Sequence, residues 1–535
     1  MADPLERLKT LLSSSTPIVV METVEEVRAV RLVRVACSSL SLATFEWSIA
    51  SGLVRCGSDV GQLVTEANYL SSNPTGQDQH DIGAQALYNS KEPAQALSNL
   101  EAMSLEAAFV LKDFHRHMDD PVVVRRLRDV GQKFSTNRRT VVITAPSITI
   151  PPELGSLVEF LELPLPDKLR LRQIIDEITV RVGKTRTLKR SLDAGGLDAM
   201  ANNLRGLTEE EAERATSQAL VTRYGITPET VTDVLETKKE LLRRSGMLDF
   251  VAPPENGASE NLAAVGGLDN LKRWLAQRRG TWENAARDFG LDPPRGVVIL
   301  GVQGCGKSMC ARAIAGEWKL PLVKFDTAAV FDKYIGETEK RIQKVFRVAE
   351  GLAPCVFWID ELEKIFAGSG PDSASVDAGV SSRILAAFLS WMQDRGAPVF
   401  VAATCNNVTV LPPELIRKGR FDELFFVDLP NQAERKQVFA IHLLRRKRNP
   451  AEFDLDRVAA AATGYSGAEI EAAVQTALYA AFAGKQAVNT QGLLDALKAT
   501  VPLSTTRSEE IQALRAWAKQ RAVPASVADA RGESA

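Results

Sequence analysis

No CxxC pair, no HExxH and no apolar run near the roughly 18 residues that span a bilayer occur in this chain of 535 residues. The six cysteines, Cys37, Cys56, Cys305, Cys310, Cys355 and Cys405, are scattered. That argues against a zinc ribbon or a disulfide scaffold and for a reducing, cytoplasmic setting. Without HExxH, a built-in metalloprotease of that type is not expected. The opening MADPLERLKTLL has no apolar signal core, so neither secretion nor membrane insertion is expected. Neither sign of charge dominates: 65 Lys and Arg against 67 Asp and Glu leave a formal net charge of -2, which gives no general attraction to nucleic acid or membrane. Histidine is scarce, at four residues. His115 and His117 stand two apart with no third ligand evident, too little for a metal site.

What is present is an ordinary globular composition, 45% hydrophobic and 25% charged, with length for about two to four domains. From position 295 the chain reads RGVVILGVQGCGKSMCARAIAGEW: an apolar strand, a glycine-rich turn and then helix periodicity. Positions 301–308 fit G-x-x-x-x-G-K-[ST], in which Gly301, Gly304 and Gly306 let backbone N–H groups close around phosphates at a helix N-terminus. Lys307 would neutralise the β- and γ-phosphates, and Ser308 would hold Mg²⁺. The next apolar strand, PCVFWIDELEKIF, delivers Asp360 to orient the metal's water ligands and Glu361 to polarise an attacking water. A third strand, PVFVAAT, runs to Asn406, a polar tip suited to positioning that water, since ligands gather at strand ends in doubly wound sheets. By contrast, GKT at 183–185 lacks the glycine five residues earlier, where Ile178 stands, and is not a phosphate loop.

With these motifs the segment from about 262 to 482 resembles the AAA ATPases. AVGGLDNLK at 264–272 is similar to the family's adenine-side entry, DKYIGETEKRIQKVF at 332–346 to its pore-loop region, and TGYSGAEI at 463–470 to its lid motif. The resemblance implies two arginine fingers, Arg417 and Arg420 in RKGRFD, and places His442 of VFAIHL near ribose and adenine. The nucleotide contacts so implied are Gly266, Gly301, Gly304, Cys305, Gly306, Lys307, Ser308, Met309, His442, Gly467 and Ala468, with the metal held by Ser308 and, through water, Asp360. Because an arginine finger reaches a neighbouring subunit's nucleotide in this family, a homo-oligomer, by resemblance a hexamer, is expected. Tyr334, Ile335 and Gly336 stand where related rings grip an extended polypeptide.

The first half repeats the second. AAFVLKDFHRHM at 107–118 matches CVFWIDELEKIF at 355–366, and IPPEL at 150–154 matches LPPEL at 411–415. NLRGLTEEEAERATSQAL at 203–220 mirrors AATGYSGAEIEAAVQTAL at 461–478, and the blocks keep their order. Chemistry is missing from this copy. Laid without gaps, Glu22 falls at Gly301, Glu25 at Gly304, Val27 at Gly306, Arg28 at Lys307 and Ala29 at Ser308; Lys112 stands for Asp360 and Asp113 for Glu361. Carboxylates repel a polyphosphate and side chains block its close approach to backbone, so copy one is expected not to hydrolyse ATP. An eroded first domain followed by a working one resembles the two-part AAA proteins catalogued as a hypothetical chloroplast reading frame in plastids, cyanobacteria and other bacteria. That resemblance covers nearly the whole chain and implies a link to carbon metabolism, without naming a substrate.

The expected fold is therefore α/β, two tandem AAA-type units, each a parallel P-loop-type sheet flanked by helices with an all-α lid. The boundaries expected are 1–250 for the degenerate first unit with its lid at about 167–250, a linker at 251–262, the ATPase α/β part at 263–431, its lid at 432–505, and a C-terminal helix with a disordered polar tail from about Val523. Positions 122–190 hold 14 Lys and Arg against 7 Asp and Glu, an excess that suits a solvated surface, with nucleic acid or an acidic partner as the alternatives. Arg445–Arg448 reads as a solvated helix end. Cys305, inside the phosphate loop, reads as a small filler side chain, with redox control through a thiol pKa lowered by the helix N-terminus as the alternative. The expected function is an Mg·ATP-driven ring that remodels or threads protein. The alternatives are an assembly switch that regulates a partner without threading and, more weakly, a nucleic-acid-associated ATPase.

Overall fold

A computed structural model of the chain describes residues 3–56, 89–244, 248–251, 262, 265–327, 338–366, 377–417 and 419–527. They divide into two compact units, Met1–Leu235 and Glu236–Ala535. The pore-loop residues Tyr334, Ile335 and Gly336 and most of the expected linker lie outside the described residues.

Six strands build the first sheet: β1 (Ile18–Glu22), β2 (Ala43–Ser48), β3 (Gly52–Arg55), β4 (Ala107–Lys112), β5 (Arg139–Ala145) and β6 (Val158–Phe160). Their spatial order is β3-β2-β4-β5-β1-β6, parallel except for β3. Parallel strands need helical crossovers, so both sheet faces are covered and alternate residues enter different cores. Val19 and Met21 pack with Leu5, Leu8 and Val33 from the helices Pro4–Ser13 and Glu26–Ser39. Ile18 and Val20 pack on the opposite side with Leu97, Leu127 and Phe134. The helices Lys168–Gly183, Ala194–Leu204 and Glu209–Arg223 follow as the lid, carrying the short strands β7 (Lys189–Arg190) and β8 (Gly225–Ile226).

The second sheet has the same plan. Its strands are β9 (Leu248–Val251), β10 (Gly296–Gly301), β11 (Leu322–Phe325), β12 (Cys355–Ile359), β13 (Val399–Cys405), β14 (Glu423–Val427) and β15 (Val523–Pro524). The order is β15-β14-β10-β13-β12-β11-β9, with β9 antiparallel to β11. Matching β6-β1-β5-β4-β2-β3 to β14-β10-β13-β12-β11-β9 superposes parallel strand on parallel strand and antiparallel edge on antiparallel edge. On one face Trp282 and Trp318 meet Phe400 edge-on and Trp274 meets it tilted. On the other, Phe346 stacks on Trp391 at 4.3 Å between centroids. The lid helices Gln432–Arg445, Leu455–Ala461, Gly467–Ala483 and Thr490–Lys498 have their own core around Phe439, Leu443, Val458 and Leu493.

Two expectations change. Residues 248–250, assigned above to the first unit, pair with the second sheet through β9. The tail is not loose from Val523: β15 pairs with β14, and Ala525 is fully buried. Its small residues make it look solvated in sequence, yet their size is what lets the chain enter the core.

Candidate nucleotide site

In the second unit β10 ends at Gly301, where a Cβ would lie 2.0 Å from the Val427 carbonyl oxygen, so only glycine fits. Five residues, 302–306, lead into the helix Lys307–Trp318. Gly304 and Gly306 take φ of +79° and +86° there, the left-handed region that a nest of N–H groups requires. Beside this loop lies a cavity of about 360 Å³. Thirteen of the residues expected at the site line it: Gly266, Gly304, Cys305, Gly306, Lys307, Ser308, Met309, Asp360, Glu361, Asn406, His442, Gly467 and Ala468. Gly301 lies beneath, at the strand end.

The polar groups converge. Lys307 Nζ donates to the Gly301 and Val302 carbonyls at 2.8 and 2.7 Å, and burial lowers its pKa. Ser308 Oγ donates to Asp360 Oδ1 at 3.0 Å, and Thr404 Oγ1 donates to the same oxygen at 2.6 Å. Glu361, at φ +54°, is held through its amide by Thr404 Oγ1 at 3.0 Å. Asn406 Nδ2 donates to Glu361 Oε1 at 3.3 Å, and Lys364 pairs with Oε2. The lid closes the wall where Ala468 N donates to the Gly304 carbonyl at 2.9 Å. Burial depresses the pKa of His442 against the raising influence of Glu471, 3.7 Å away. A buried ammonium bonded to loop carbonyls, free-turning glycine amides and a paired hydroxyl and carboxylate suit a nucleoside polyphosphate with a divalent cation.

Sequence reasoning missed Val265, Gln303, Thr404, Val438, Ile441 and Glu471 among the lining. Thr404, two residues before Asn406 on the same strand end, was the one with a signal. The Cys305 thiol pKa runs against the redox alternative: burial outweighs Lys307 and pushes it to about 12. Arg417 and Arg420 do not line the cavity of their own chain. Arg420 donates to the Glu414 carbonyl. Their loop is anchored to the start of β10 by Asp422, whose Oδ2 accepts from the Arg295 and Gly296 amides at 2.6 and 2.9 Å.

The matching place in the first unit is built differently. Only residues 23–25 separate β1 from its helix. The carboxylate of Glu25, 3% exposed, accepts from Glu209 N at 2.7 Å and Glu210 N at 3.4 Å. These are the lid-helix amides that correspond to Gly467 and Ala468, and both lid helices open with a capping box, Thr208 with Glu211 and Ser466 with Glu469. Arg28 bridges Glu25 at 2.9 Å and Glu209 at 3.3 Å, and Arg170 bridges Glu209 at 3.0 Å and Glu177 at 3.1 Å. Glu210 has its pKa raised, by burial and then by Glu25. At the end of β4, Lys112 pairs with Glu46 at 2.8 Å. Burial works against the Glu46 carboxylate, but Arg34 and Lys112 hold it below its usual range. Asp113 repeats the backbone of Glu361, with φ +53°. His117 packs edge-on against Trp47 and Phe114.

Glu25→Ala removes the acceptor for the Glu209 and Glu210 amides and one of the two carboxylates that Arg28 bridges. A loss of about 3 kcal/mol is expected, lowering the first unit's melting transition by about 6–12 °C in scanning calorimetry. Glu25→Gln keeps an acceptor oxygen and should lose about half as much; an unshifted transition in both would mean the network contributes no stability.

Comparison with known proteins gives three family matches: ATPase family associated with various cellular activities (AAA) over residues 297–429, the N-terminal domain of SpoVK-like AAA ATPases over 4–163, and their second domain over 169–245. The chain is 34% identical over 517 residues, 96% of each chain, to the uncharacterized AAA domain-containing protein ycf46 of Trieres chinensis. It is 33% identical to the ycf46 protein of Guillardia theta, over 95% of this chain and 94% of that one. The ATPase family gene 2 protein of Schizosaccharomyces pombe is 32% identical over 46% of this chain and 30% of its own length.

Proposed function

Because this chain belongs to the AAA ATPases, in the family of the ycf46 AAA-domain proteins, we propose that its second unit hydrolyses Mg·ATP and that rings of it, hexameric by family resemblance, remodel or thread a protein substrate. The observation that carries the reading is the meeting of Lys307, Ser308, Asp360, Glu361 and Asn406 in one cleft, with Ser308 bonded to Asp360 and Asn406 to Glu361. Lys307 would bind phosphate charge, Ser308 and, through water, Asp360 would hold the cation, and Glu361, oriented by Asn406, would accept a proton from water. The bound cation would supply charge neutralisation at the phosphates. In this reading the first unit does not hydrolyse ATP: Glu25, Arg28 and Glu209 link the loop to the lid where the second unit has its phosphate loop, and Lys112 stands where the second unit has Asp360. It serves recruitment or assembly.

Surface electrostatics do not favour nucleic acid as the partner. Lys133 pairs with Glu101, Arg138 with Glu106, Lys168 with Asp198, Arg170 with Glu209 and Arg181 with Glu213, all acids outside positions 122–190, so much of the basic excess of that span is neutralised locally.

Tyr334→Ala separates a threading motor from an assembly switch. With an unstructured model polypeptide added, the parent chain is expected to raise its ATP turnover severalfold. The variant should keep its basal rate and lose the stimulation. Turnover indifferent to both the polypeptide and the substitution would leave the switch reading.

A further inference from the structure

We infer that residues 523–526 form a strap that positions the base-side wall of the second unit's cleft, so that Asn270 and Ser526 set nucleotide affinity without touching the nucleotide; this rests on the reading of that cleft as an ATP site. The wall has two sides. One is the loop with Val265 and Gly266, which leads into the helix Asp269–Gln277; the other is the lid helix Gln432–Arg445, which presents Val438, Ile441 and His442. They are in intimate contact: a Cβ on Gly266 would stand 2.9 Å from Val438 Cγ2, and one on Gly267 would stand 2.1 Å from Glu434 Oε1. Gly267 N donates to Gln437 Oε1 at 2.9 Å and Leu268 N to Glu434 Oε1 at 3.3 Å.

Neither side is held by its own residues alone. Leu268, at φ +61°, sits at the N-cap of its helix and offers no side-chain acceptor. The orphan amides that a helix start leaves must go elsewhere. Asn270 N and Leu271 N donate to the carbonyl of Ala525, at 3.0 and 3.2 Å. Asn270 Nδ2 reaches the carbonyls of Pro524 and Ser526, both at 3.0 Å. On the lid side Ser526 Oγ donates to Glu434 Oε1, the oxygen that also receives Leu268 N. Glu434 Oε2 accepts from Asn431 N at 3.0 Å and so caps the lid helix. The strap is itself fixed, because Ala525 is fully buried and its amide donates to the Phe426 carbonyl at 2.8 Å on β14. One short segment thus caps the entry helix, braces the entry loop and ties both to the first helix of the lid.

None of these atoms lines the cleft, so their action passes through Val265, Gly266 and His442. Lys307, Asp360 and Glu361, at the phosphate end, stand apart from the strap's hydrogen bonds. Affinity should therefore move while the chemical step does not. Binding of a fluorescent ADP and steady-state ATP turnover would be measured for the parent chain, Asn270→Ala, Ser526→Ala, Ser526→Thr and a chain ending at Ala522. Either Ala variant should raise Kd and KM about threefold to fivefold, and the shortened chain about tenfold or more, with kcat at saturation within about twofold of the parent. Ser526→Thr keeps the hydroxyl and should bind as the parent does. If the shortened chain misfolds, the point variants carry the test. Unchanged Kd in Asn270→Ala and Ser526→Ala, or kcat falling in step with affinity, overturns the strap. A parent chain that binds no ADP overturns the ATP-site reading itself and this inference with it, an outcome distinct from the first two.

Discussion

Glu361→Gln is expected to cut ATP turnover by about two to four orders of magnitude, the range that a positioned general base contributes, while ADP and ATP still bind. The side chain is oriented before any chemistry. Its backbone sits at φ +54° directly after β12, its amide is tied to Thr404, and Asn406 Nδ2 meets Oε1. Glutamine keeps the shape and can still accept from Asn406, but it cannot take a proton from water. Phosphate release at saturating ATP, beside the Kd of a fluorescent nucleotide, separates the two effects. Lys307→Ala should differ in kind and lose binding, because that ammonium is the buried cation at the loop. Turnover undiminished in Glu361→Gln would remove the base from this residue.

Arg420→Ala should lower turnover by about a thousandfold, at the lower end of what an arginine finger supplies, with assembly intact by sedimentation. Among the described residues that line the cleft there is no arginine. Arg420 stands on a loop pinned to β10 through Asp422 and outside its own cavity. In the proposed ring, an arginine so placed would act at a neighbour's site. Mixing Arg420→Ala with Glu361→Gln makes the sharper test. Each variant alone is nearly inactive, but some junctions of a mixed ring join an intact Arg420 to an intact Glu361, so activity should return in part. The parent's specific activity should also fall on dilution. A mixture as inactive as its components, or turnover that survives Arg420→Ala, would mean a self-contained site.

The gathering of the nucleotide-site residues was legible where it depends on neighbours in sequence. The spacing of Gly301, Lys307 and Ser308, and the placing of Asp360 and Asn406 at ends of apolar strands, are local patterns, and the cleft gathers them. The repeat was legible too, down to Asp113 against Glu361, which share a left-handed backbone at equivalent strand ends. What escaped is long-range. Glu25 was read as an obstacle to phosphate, but its partners Glu209 and Glu210 are 184 and 185 residues away, so its role as a link to the lid could not be read from spacing. The segment after Val523 was taken for a loose tail because Ala, Ser and Pro carry little hydropathy; its order comes from Phe426 and Asn270, at distant positions. The Cys305 thiol pKa escaped too, because the surroundings that decide it come from the lid as well as the loop.

A parallel sheet left open at its sides invites any extended chain to add itself as a further strand. The second sheet leaves little such invitation. At one side β9 lies antiparallel on β11, and its four residues include Asp249, a solvent-facing charge. At the other, β15 covers β14 with two residues, one of them Pro524, which has no amide hydrogen to offer. For a protein proposed to handle unfolded polypeptide this matters, since its clients are the molecules most apt to stick by strand addition. Brief outer strands carrying a charge or a proline would let such clients approach without aggregating onto the sheet.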